Sequence, residues 1–253
     1  MLTSYTVKDL YALALAEGEG MGTAYEYYAK RRVLEPWLGR HPRPKTMLIA
    51  GLPERYGLSL DFLLLGTELG ADITIVDERP ESFQRLFSAR EALLSEGLYQ
   101  LSAPNTVLVA NGANPMEIGQ PFDLVVSSEV LQRLDAAERL TYTTFIQATG
   151  NAAALFAPNA DNPAHTNRSG LAGLHLSEIQ ELTTADAGLT GYLDMPPFPP
   201  GITRSEEQRE QATTGSFENL VMWGLGHYAR HENWVPRNLR KTQSHIVYSL
   251  TPA

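Results

Sequence analysis

The stretch MLIAGLPERYGLSLDFLLLGTELGADITIVDERP, residues 47–80, decides the fold of this chain. An apolar run at residues 47–50 leads into a loop from Gly51 to Gly57, a helical run follows, and a second apolar run ends on Asp77. This order of strand, loop, helix, strand and acid predicts a βαβ unit. Asp77 follows Gly57 by 20 residues, a distance at which an acid after the second strand reaches ribose hydroxyls. The stretch therefore indicates a nucleoside-type ligand.

Composition and charge limit the classes to which the chain can belong. Its 253 residues are 43% hydrophobic and 19% charged, which fits one globular domain or one domain with an insertion. A net charge of -9 argues against a dedicated nucleic-acid binder, because binding phosphates requires clustered Lys and Arg. The basic segment at residues 230–241 is either a solvated face or a contact for a small anionic substrate.

The absence of cysteine and of long apolar runs limits the chemistry and the location. Without cysteine the chain forms no disulfide, no thiolate metal site and no cysteine nucleophile. Its apolar runs are too short to cross a bilayer, and its first residues lack the pattern of a signal peptide. We therefore expect a cytoplasmic protein that has no membrane partner.

Strand-like and helical segments alternate along most of the chain. Further strands are predicted at residues 106–110, 122–127, 151–156, 189–195 and 245–250. Pro80 opens a helix to about Ser95, and polar residues followed three positions later by Glu or Gln predict helix starts at Thr23, Asp135 and Ser177. The alternation predicts a doubly wound, Rossmann-like α/β fold with a seven-stranded, mostly parallel sheet and helices on both faces.

The long interval before the last predicted strand divides the chain further. Residues 1–44 are expected to form an N-terminal helical cap, and residues 45–253 the main domain. Residues 196–243 open with Pro-Pro-Phe-Pro-Pro-Gly and separate the sixth strand from the seventh. An interval of this length in a compact domain predicts a lid or a substrate-binding insertion.

Four segments of the chain resemble the class I S-adenosylmethionine-dependent methyltransferases, in particular those that act on small molecules. The first three are GLPERYG (51–57) at the first glycine-rich motif, VDE (76–78) at the second-strand acid and FDLVVSSEVLQRL (122–134) at the fourth strand. The fourth consists of two parts, LFAPN (155–159) and GLHLSEI (173–179), at the fifth strand and its helix. The resemblance covers residues 23–195, and the last strand rejoins it at residue 245. It implies S-adenosylmethionine as cofactor and in-line methyl transfer to a small-molecule acceptor.

The first glycine motif departs from the family pattern G-x-G-x-G. Its middle positions hold Pro53 and Arg55, which do not allow the close backbone approach that glycine allows. The loop is therefore expected to be wider than usual, with Glu54 or Arg55 near the methionine end of the cofactor.

The resemblance also implies a set of cofactor-binding residues. They lie in the first loop, at the ends of strands two, three and four, and on the N-terminal helix: Gly51, Pro53, Glu54, Gly57, Asp77, Glu78, Asn111, Gly112, Ser128, Glu129, Tyr28 and Arg31. Several have structural alternatives: Asn111 and Gly112 also suit a turn, Ser128 a helix cap, and Tyr28 with Arg31 a packed helix face.

Histidines near the fifth strand are the candidates for a general base. His165 and His175 flank the loop where an acceptor should lie, and imidazole titrates near neutral pH. Structural hydrogen bonding is the alternative for each. His227 and His231 are spaced i, i+4, but no third ligand accompanies them, so no metal site is predicted.

Two other functions are compatible with the same pattern. A non-catalytic, methyltransferase-like binding or scaffold protein is suggested by the unusual GLPERYG loop. A nicotinamide-dependent oxidoreductase would also use Asp77 on a ribose, but it requires G-x-G-x-x-G, which the sequence lacks. The sequence leaves the oligomeric state open, a homo-oligomer included.

Overall fold

A seven-stranded sheet lies at the centre of the protein. The computed structural model describes residues 3–54, 56–109, 118, 121–163, 166–167, 170, 172–183, 188–197 and 215–252. The strands are β1 (Thr46–Ala50), β2 (Asp72–Asp77), β3 (Asn105–Leu108), β4 (Leu124–Ser128), β5 (Ala153–Pro158), β6 (Leu189–Leu193) and β7 (Ile246–Thr251). Their order is β3-β2-β1-β4-β5-β7-β6. β7 runs antiparallel to β5 and β6, and the other pairs are parallel. The predicted mostly parallel, doubly wound sheet is confirmed.

Helices cover both faces of this sheet. They are α1 (Val7–Ala16), α2 (Met21–Leu38), α3 (Leu60–Leu69), α4 (Pro80–Ser95), α5 (Ala136–Thr149), α6 (Leu176–Leu182), α7 (Ser216–His231) and α8 (Arg237–Gln243), with short 3₁₀ helices at Leu131–Arg133 and Glu232–Trp234. The apolar side chains of α1 to α4 and α7 share a core with Met47 and Ile49 of β1. Those of α5 and α6 share a second core with Leu48 and Ala50, because alternate strand residues point to opposite faces.

The predicted start of α5 is confirmed in its details. The backbone N–H of Glu138 donates to Asp135 Oδ1 at 2.9 Å, and that of Asp135 donates to Glu138 Oε2 at 2.9 Å. Each side chain thus satisfies a backbone donor that the first turn leaves free.

Two other predicted helix starts were wrong. α2 begins at Met21 after Gly20, so Thr23 lies inside its first turn. The Glu26 side chain pairs with Lys30 one turn further along. α6 begins at Leu176 instead of after Ser177, with His175 as its N-cap residue.

The interval between β6 and β7 contributes helices to the face of the sheet that α1 to α4 cover. Its described parts, residues 194–197 and 215–245, contain α7 and α8, and α7 packs against α1 and α2. In the part of the chain that the structure describes, no helix is long and apolar enough to cross a membrane.

Candidate functional site

The candidate site lies along one edge of the sheet. β1, β2, β4, β5 and β6 all end at this edge, and the antiparallel β7 begins there. Ligands of open α/β sheets bind at the carboxyl ends of the strands. The residues that end or follow the strands here are Gly51, Asp77, Ser128, Glu129, Asn159 and Asp194, and His245 precedes β7.

The loop after β1 uses both of its glycines in left-handed conformations. Gly51 has φ +77°, and a Cβ added to it would lie 2.7 Å from Val130 Cγ2. Gly57 has φ +74°, and a Cβ there would lie 2.7 Å from the Tyr27 hydroxyl oxygen. Both positions therefore require glycine for conformation and for packing against the protein itself. Between them Pro53 is buried and Glu54 is exposed.

The carboxylate of Asp77 at the end of β2 is fully buried and bonded within the protein. Its Oδ2 accepts from the backbone N–H of Leu52 at 2.7 Å and from Arg79 Nη2 at 2.9 Å. Its Oδ1 accepts from the backbone N–H of Arg79 at 2.9 Å and from Arg79 Nε at 2.8 Å. A carboxylate can accept about four hydrogen bonds, so these four bonds occupy all of its acceptor positions. Burial favours a higher pKa for Asp77, but the hydrogen bonds from Arg79 and Leu52 outweigh it and lower the pKa.

Two arginines that sequence reasoning missed surround this acid. Arg79 also donates from Nη2 to the Leu52 carbonyl at 2.6 Å, which ties the β1 loop to the end of β2. Arg133, in the 3₁₀ helix after β4, has Nη2 3.6 Å from Asp77 Oδ2 and Nη1 3.8 Å from Glu78 Oε1. Both arginines nevertheless lie in segments that the sequence pattern had singled out. Arg79 comes two residues after the second-strand acid, and Arg133 comes shortly after the end of β4.

A second group of charges lies beneath α2, near the end of β4. The ammonium of Lys30 is buried, lies 2.5 Å from Glu26 Oε1 and donates to Ser128 Oγ at 2.8 Å. Three aromatic rings surround it with centroids 5.4 to 5.6 Å away, those of Tyr27, Phe62 and Phe156. Burial alone would lower the pKa of Lys30, but nearby carboxylates, chiefly that of Glu26, outweigh burial and raise it.

Three buried acids face this lysine from different elements. Asp61 is on α3, Glu129 follows β4 and Asp194 follows β6, and each is at most 5% exposed. Burial raises the pKa of all three, that of Asp61 to about 6. Glu129 (φ 56°) and Asp194 (φ 61°) also hold the left-handed conformation that non-glycine residues rarely adopt.

Two further acids are paired with tyrosines of α2. Glu17 accepts from the Tyr27 hydroxyl and from the backbone N–H of Leu60, the latter at 2.9 Å. Glu232 accepts from the Tyr25 hydroxyl at 2.8 Å. Burial raises the pKa of Glu17 to about 8 and that of Glu232 to about 7.

Stability is expected to fall as pH rises from about 5 to about 9, by at least about 2 kcal/mol. Glu17, Asp61 and Glu232 have folded-state pKa values above their ordinary values, so the folded protein binds more protons than the unfolded chain in this range. Their contribution is complete below the unfolded pKa and is lost as pH rises through the folded pKa. Urea unfolding at constant ionic strength measures the slope, and Glu17→Gln should flatten it. A stability that is constant or rises with pH would contradict the prediction.

The two predicted histidine bases have different outcomes. His165 lies outside the described residues. His175 is half exposed, its backbone N–H donates to Glu178 Oε2 at 2.6 Å, and its Nδ1 lies 3.0 Å from Asp161 Oδ1. The structure thus places His175 at the start of α6.

His245 forms a more buried pair that sequence reasoning missed. Its Nδ1 lies 3.0 Å from Asp194 Oδ2, and its side chain is 16% exposed. Burial lowers the pKa of His245, but Asp194 outweighs burial and raises it. Asp194 and His245 are 51 positions apart, and only the pairing of β6 with β7 brings them together.

The remaining predicted residues are divided between the edge and other places. Ser128 and Glu129 lie at the edge as expected, and Tyr28 is buried within α2. Arg31 pairs with Glu68 at 2.6 Å and with Glu35 at 3.2 Å. Glu68 belongs to the last turn of α3, which leads back to the opposite edge, so Arg31 is not near Asp77. Asn111 and Gly112 lie outside the described residues.

Two solved structures with a similar arrangement are methyltransferases. No family model and no curated protein sequence matches the chain. The methyltransferase domain of bacterial CtHen1 superposes with a TM-score of 0.51 at 11% identity, covering 89% of this chain and 98% of that one. Magnesium protoporphyrin IX methyltransferase (ChlM) from Synechocystis PCC 6803, solved with bound SAH, gives 0.50 at 12% identity, covering 91% and 85%.

The chain has the class I methyltransferase fold. The fold resemblance inferred from the four sequence segments is thereby confirmed. At these identities the likeness concerns the fold, so the function has to be argued from the residues at the sheet edge.

Proposed function

We propose that this protein transfers a methyl group from S-adenosylmethionine to a small-molecule acceptor. One observation carries the proposal: two residues of the kind that holds a nucleoside occupy the carboxyl edge together. Gly51 has a left-handed conformation after β1, and the ionised Asp77 ends the neighbouring strand β2. In a sheet of this fold these are the positions from which a nucleoside is held.

The chemistry of Asp77 fits a ribose, but its present hydrogen bonds do not leave room for one. A carboxylate can accept two hydrogen bonds from vicinal hydroxyls. Here Arg79 supplies its side-chain donors instead, and the Arg79 side chain is 18% exposed and so reaches solvent. Asp77 therefore fits the cofactor once Arg79 withdraws its guanidinium, and Arg79 competes with the ribose for the same oxygens.

The protein's own groups would position the two reactants. Bound S-adenosylmethionine supplies an activated methyl group, and orientation of donor and acceptor accounts for much of the acceleration of such a transfer. Val130 packs on Gly51 and follows Glu129 directly, so the β1 loop and the end of β4 form one surface. Helix α2 meets this surface where the Tyr27 hydroxyl lies beside Gly57 and where Lys30 donates to Ser128 Oγ, and a helix in this position would keep water from the reactants.

Calorimetric titration of the purified protein tests the cofactor part of the proposal. We expect S-adenosylmethionine and S-adenosylhomocysteine to bind with a Kd of about 1 to 100 μM, and NAD to give no heat. A folded protein that binds neither adenosyl ligand would reject methyl transfer and favour a non-catalytic role. Binding of NAD alone would favour the oxidoreductase.

The acceptor class is tested with S-adenosylmethionine labelled in its methyl group. The labelled cofactor is incubated with the protein and a metabolite extract, and the products are separated by ultrafiltration. We expect the label in the small-molecule filtrate. Label retained with protein or nucleic acid would contradict a small-molecule acceptor.

A further inference from the structure

The carboxyl groups around Lys30 outnumber the basic groups. We call Asp61, Glu129 and Asp194 the carboxylate cluster. Glu26 neutralises the Lys30 ammonium through the 2.5 Å ion pair, and Asp194 Oδ2 lies 3.0 Å from the imidazole Nδ1 of His245. Asp61 and Glu129 form no ion pair within the described residues. Burial raises the pKa of each carboxyl group, and Lys30 opposes this rise only through a longer-range Coulomb interaction.

Each acid of the carboxylate cluster has an oxygen that receives no hydrogen bond. Asp61 Oδ1, Glu129 Oε2 and Asp194 Oδ1 are buried, and no donor from the described part of the chain reaches them. Burying an unpartnered polar atom costs free energy, so buried groups of this kind call for an explanation. A ligand that carries hydrogen-bond donors and positive charge would satisfy such oxygens.

The environment favours an organic cation over a metal ion. No three His, Asp or Glu side chains among the described residues lie close enough together to hold a metal. The aromatic rings of Tyr27, Phe62 and Phe156 surround the Lys30 ammonium, and the faces of such rings attract organic cations. Lys30 serves as an internal probe of this environment, because its alkylammonium is stabilised there despite complete burial.

The position of the cluster relates it to the proposed cofactor site. Glu129 follows β4, Asp194 follows β6, and both therefore lie at the carboxyl edge. Val130, the next residue after Glu129, contacts the first glycine of the β1 loop. The cluster is thus the neighbour of the cofactor surface on the side of β4, where an acceptor would have to lie.

We propose that the carboxylate cluster is the acceptor-binding pocket and that the acceptor is a small molecule with a protonated amine, which Glu129 and Asp194 bind. This inference rests on the proposed function and adds the chemical class of the acceptor to it. The ammonium donates to Glu129 Oε2 and Asp194 Oδ1, and the aromatic rings contact its alkyl part.

Simple alkyl probes test the pocket without knowledge of the natural acceptor. Binding of n-butylammonium chloride is measured by calorimetry at constant ionic strength, with n-butanol and sodium butyrate as neutral and anionic controls. Each titration is run with and without saturating S-adenosylhomocysteine. We expect n-butylammonium alone to bind, and to bind equally well when S-adenosylhomocysteine is present.

Isosteric variants then assign the site to the cluster. Glu129→Gln and Asp194→Asn are each expected to weaken n-butylammonium binding at least tenfold, and the exposed Glu96→Gln to leave it unchanged. Glu129→Gln keeps the size of a buried side chain whose charged form burial disfavours and whose oxygen has no partner, so its thermal midpoint should stay the same or rise. Lost binding in that variant is therefore not explained by unfolding.

The possible outcomes separate this inference from the proposed function. If S-adenosylhomocysteine binds and n-butylammonium does not, the ammonium pocket is wrong and methyl transfer stands. If S-adenosylhomocysteine displaces n-butylammonium, the cluster belongs to the cofactor site and the acceptor role is overturned. If n-butylammonium binds through Glu129 and S-adenosylhomocysteine does not bind, the cation site stands and methyl transfer fails. Equal binding of all three probes would overturn the selectivity for a cation.

Discussion

Replacing Lys30 by methionine is expected to lower the free energy of unfolding by about 3 kcal/mol or more at pH 8, because breaking a buried ion pair leaves a charge without a partner. Lys30 lies 2.5 Å from Glu26, and its charge also offsets Asp61 and Glu129. Methionine has a similar length and keeps the apolar contacts with the surrounding rings. The loss therefore reports the charge of Lys30 more than its packing.

Urea unfolding of the wild type and of three variants tests this prediction. Lys8→Met, at an exposed position on α1, serves as the matched control and should change stability by less than about 0.5 kcal/mol. The double variant Lys30→Met with Glu129→Gln should recover part of the loss, since the remaining repulsion is smaller. The cost should also shrink at pH 5, because the acids with raised pKa values then take up protons. A cost for Lys30→Met no larger than that of Lys8→Met would show that the acids around it carry no charge.

The fold could be predicted because its signals are local. Strands β1, β2 and β4 are rich in apolar residues and buried along nearly all of their length, as expected for strands covered on both faces, and turn residues separate them from the helices. Pro80 and the pair of Asp135 with Glu138 marked helix starts that the structure confirms.

The failed helix starts show where local patterns lose to tertiary contacts. Thr23 and Glu26 match a capping box, but Glu26 instead neutralises Lys30 in the interior. Desolvation makes that ion pair more important than a cap in solvent, so α2 extends back to Met21 with Gly20 as its N-cap residue. The sequence does not contain the information that this part of the helix is buried.

The site was only partly predictable for the same reason. Asp77 and Glu129 follow apolar strands and could be recognised, but their partners depend on the folded chain. Lys30 and Ser128 are 98 positions apart in sequence. One signal was nevertheless present: Asp61 interrupts the apolar run LSLDFLLL, and a charged residue in such a run requires a buried partner or a ligand.

Arg79→Met is expected to tighten the binding of S-adenosylmethionine about tenfold, whereas Asp77→Ala should weaken it about a hundredfold, roughly 2.7 kcal/mol. Both expectations follow from the same geometry. Arg79 holds both oxygens of Asp77, so a ribose has to displace it, and removing the guanidinium removes that cost. Removing the carboxylate removes the group that would hold the ribose itself.

Calorimetry on both variants measures the two effects, with Arg85→Met, on the helix that Arg79 precedes, as the control for removing a nearby positive charge. Because Asp77→Ala leaves Arg79 without its partner, the double variant Asp77→Ala with Arg79→Met serves as a second test of the carboxylate. That variant has no Arg79 guanidinium to leave unpaired, and Arg133 keeps Glu78 as a partner, so binding should remain weak. Weaker binding in Arg79→Met would mean that Arg79 contacts the cofactor instead of competing with it. Unchanged affinity in both variants that lack Asp77 would place the ribose away from the end of β2, because a ribose bound there would lose its carboxylate acceptor.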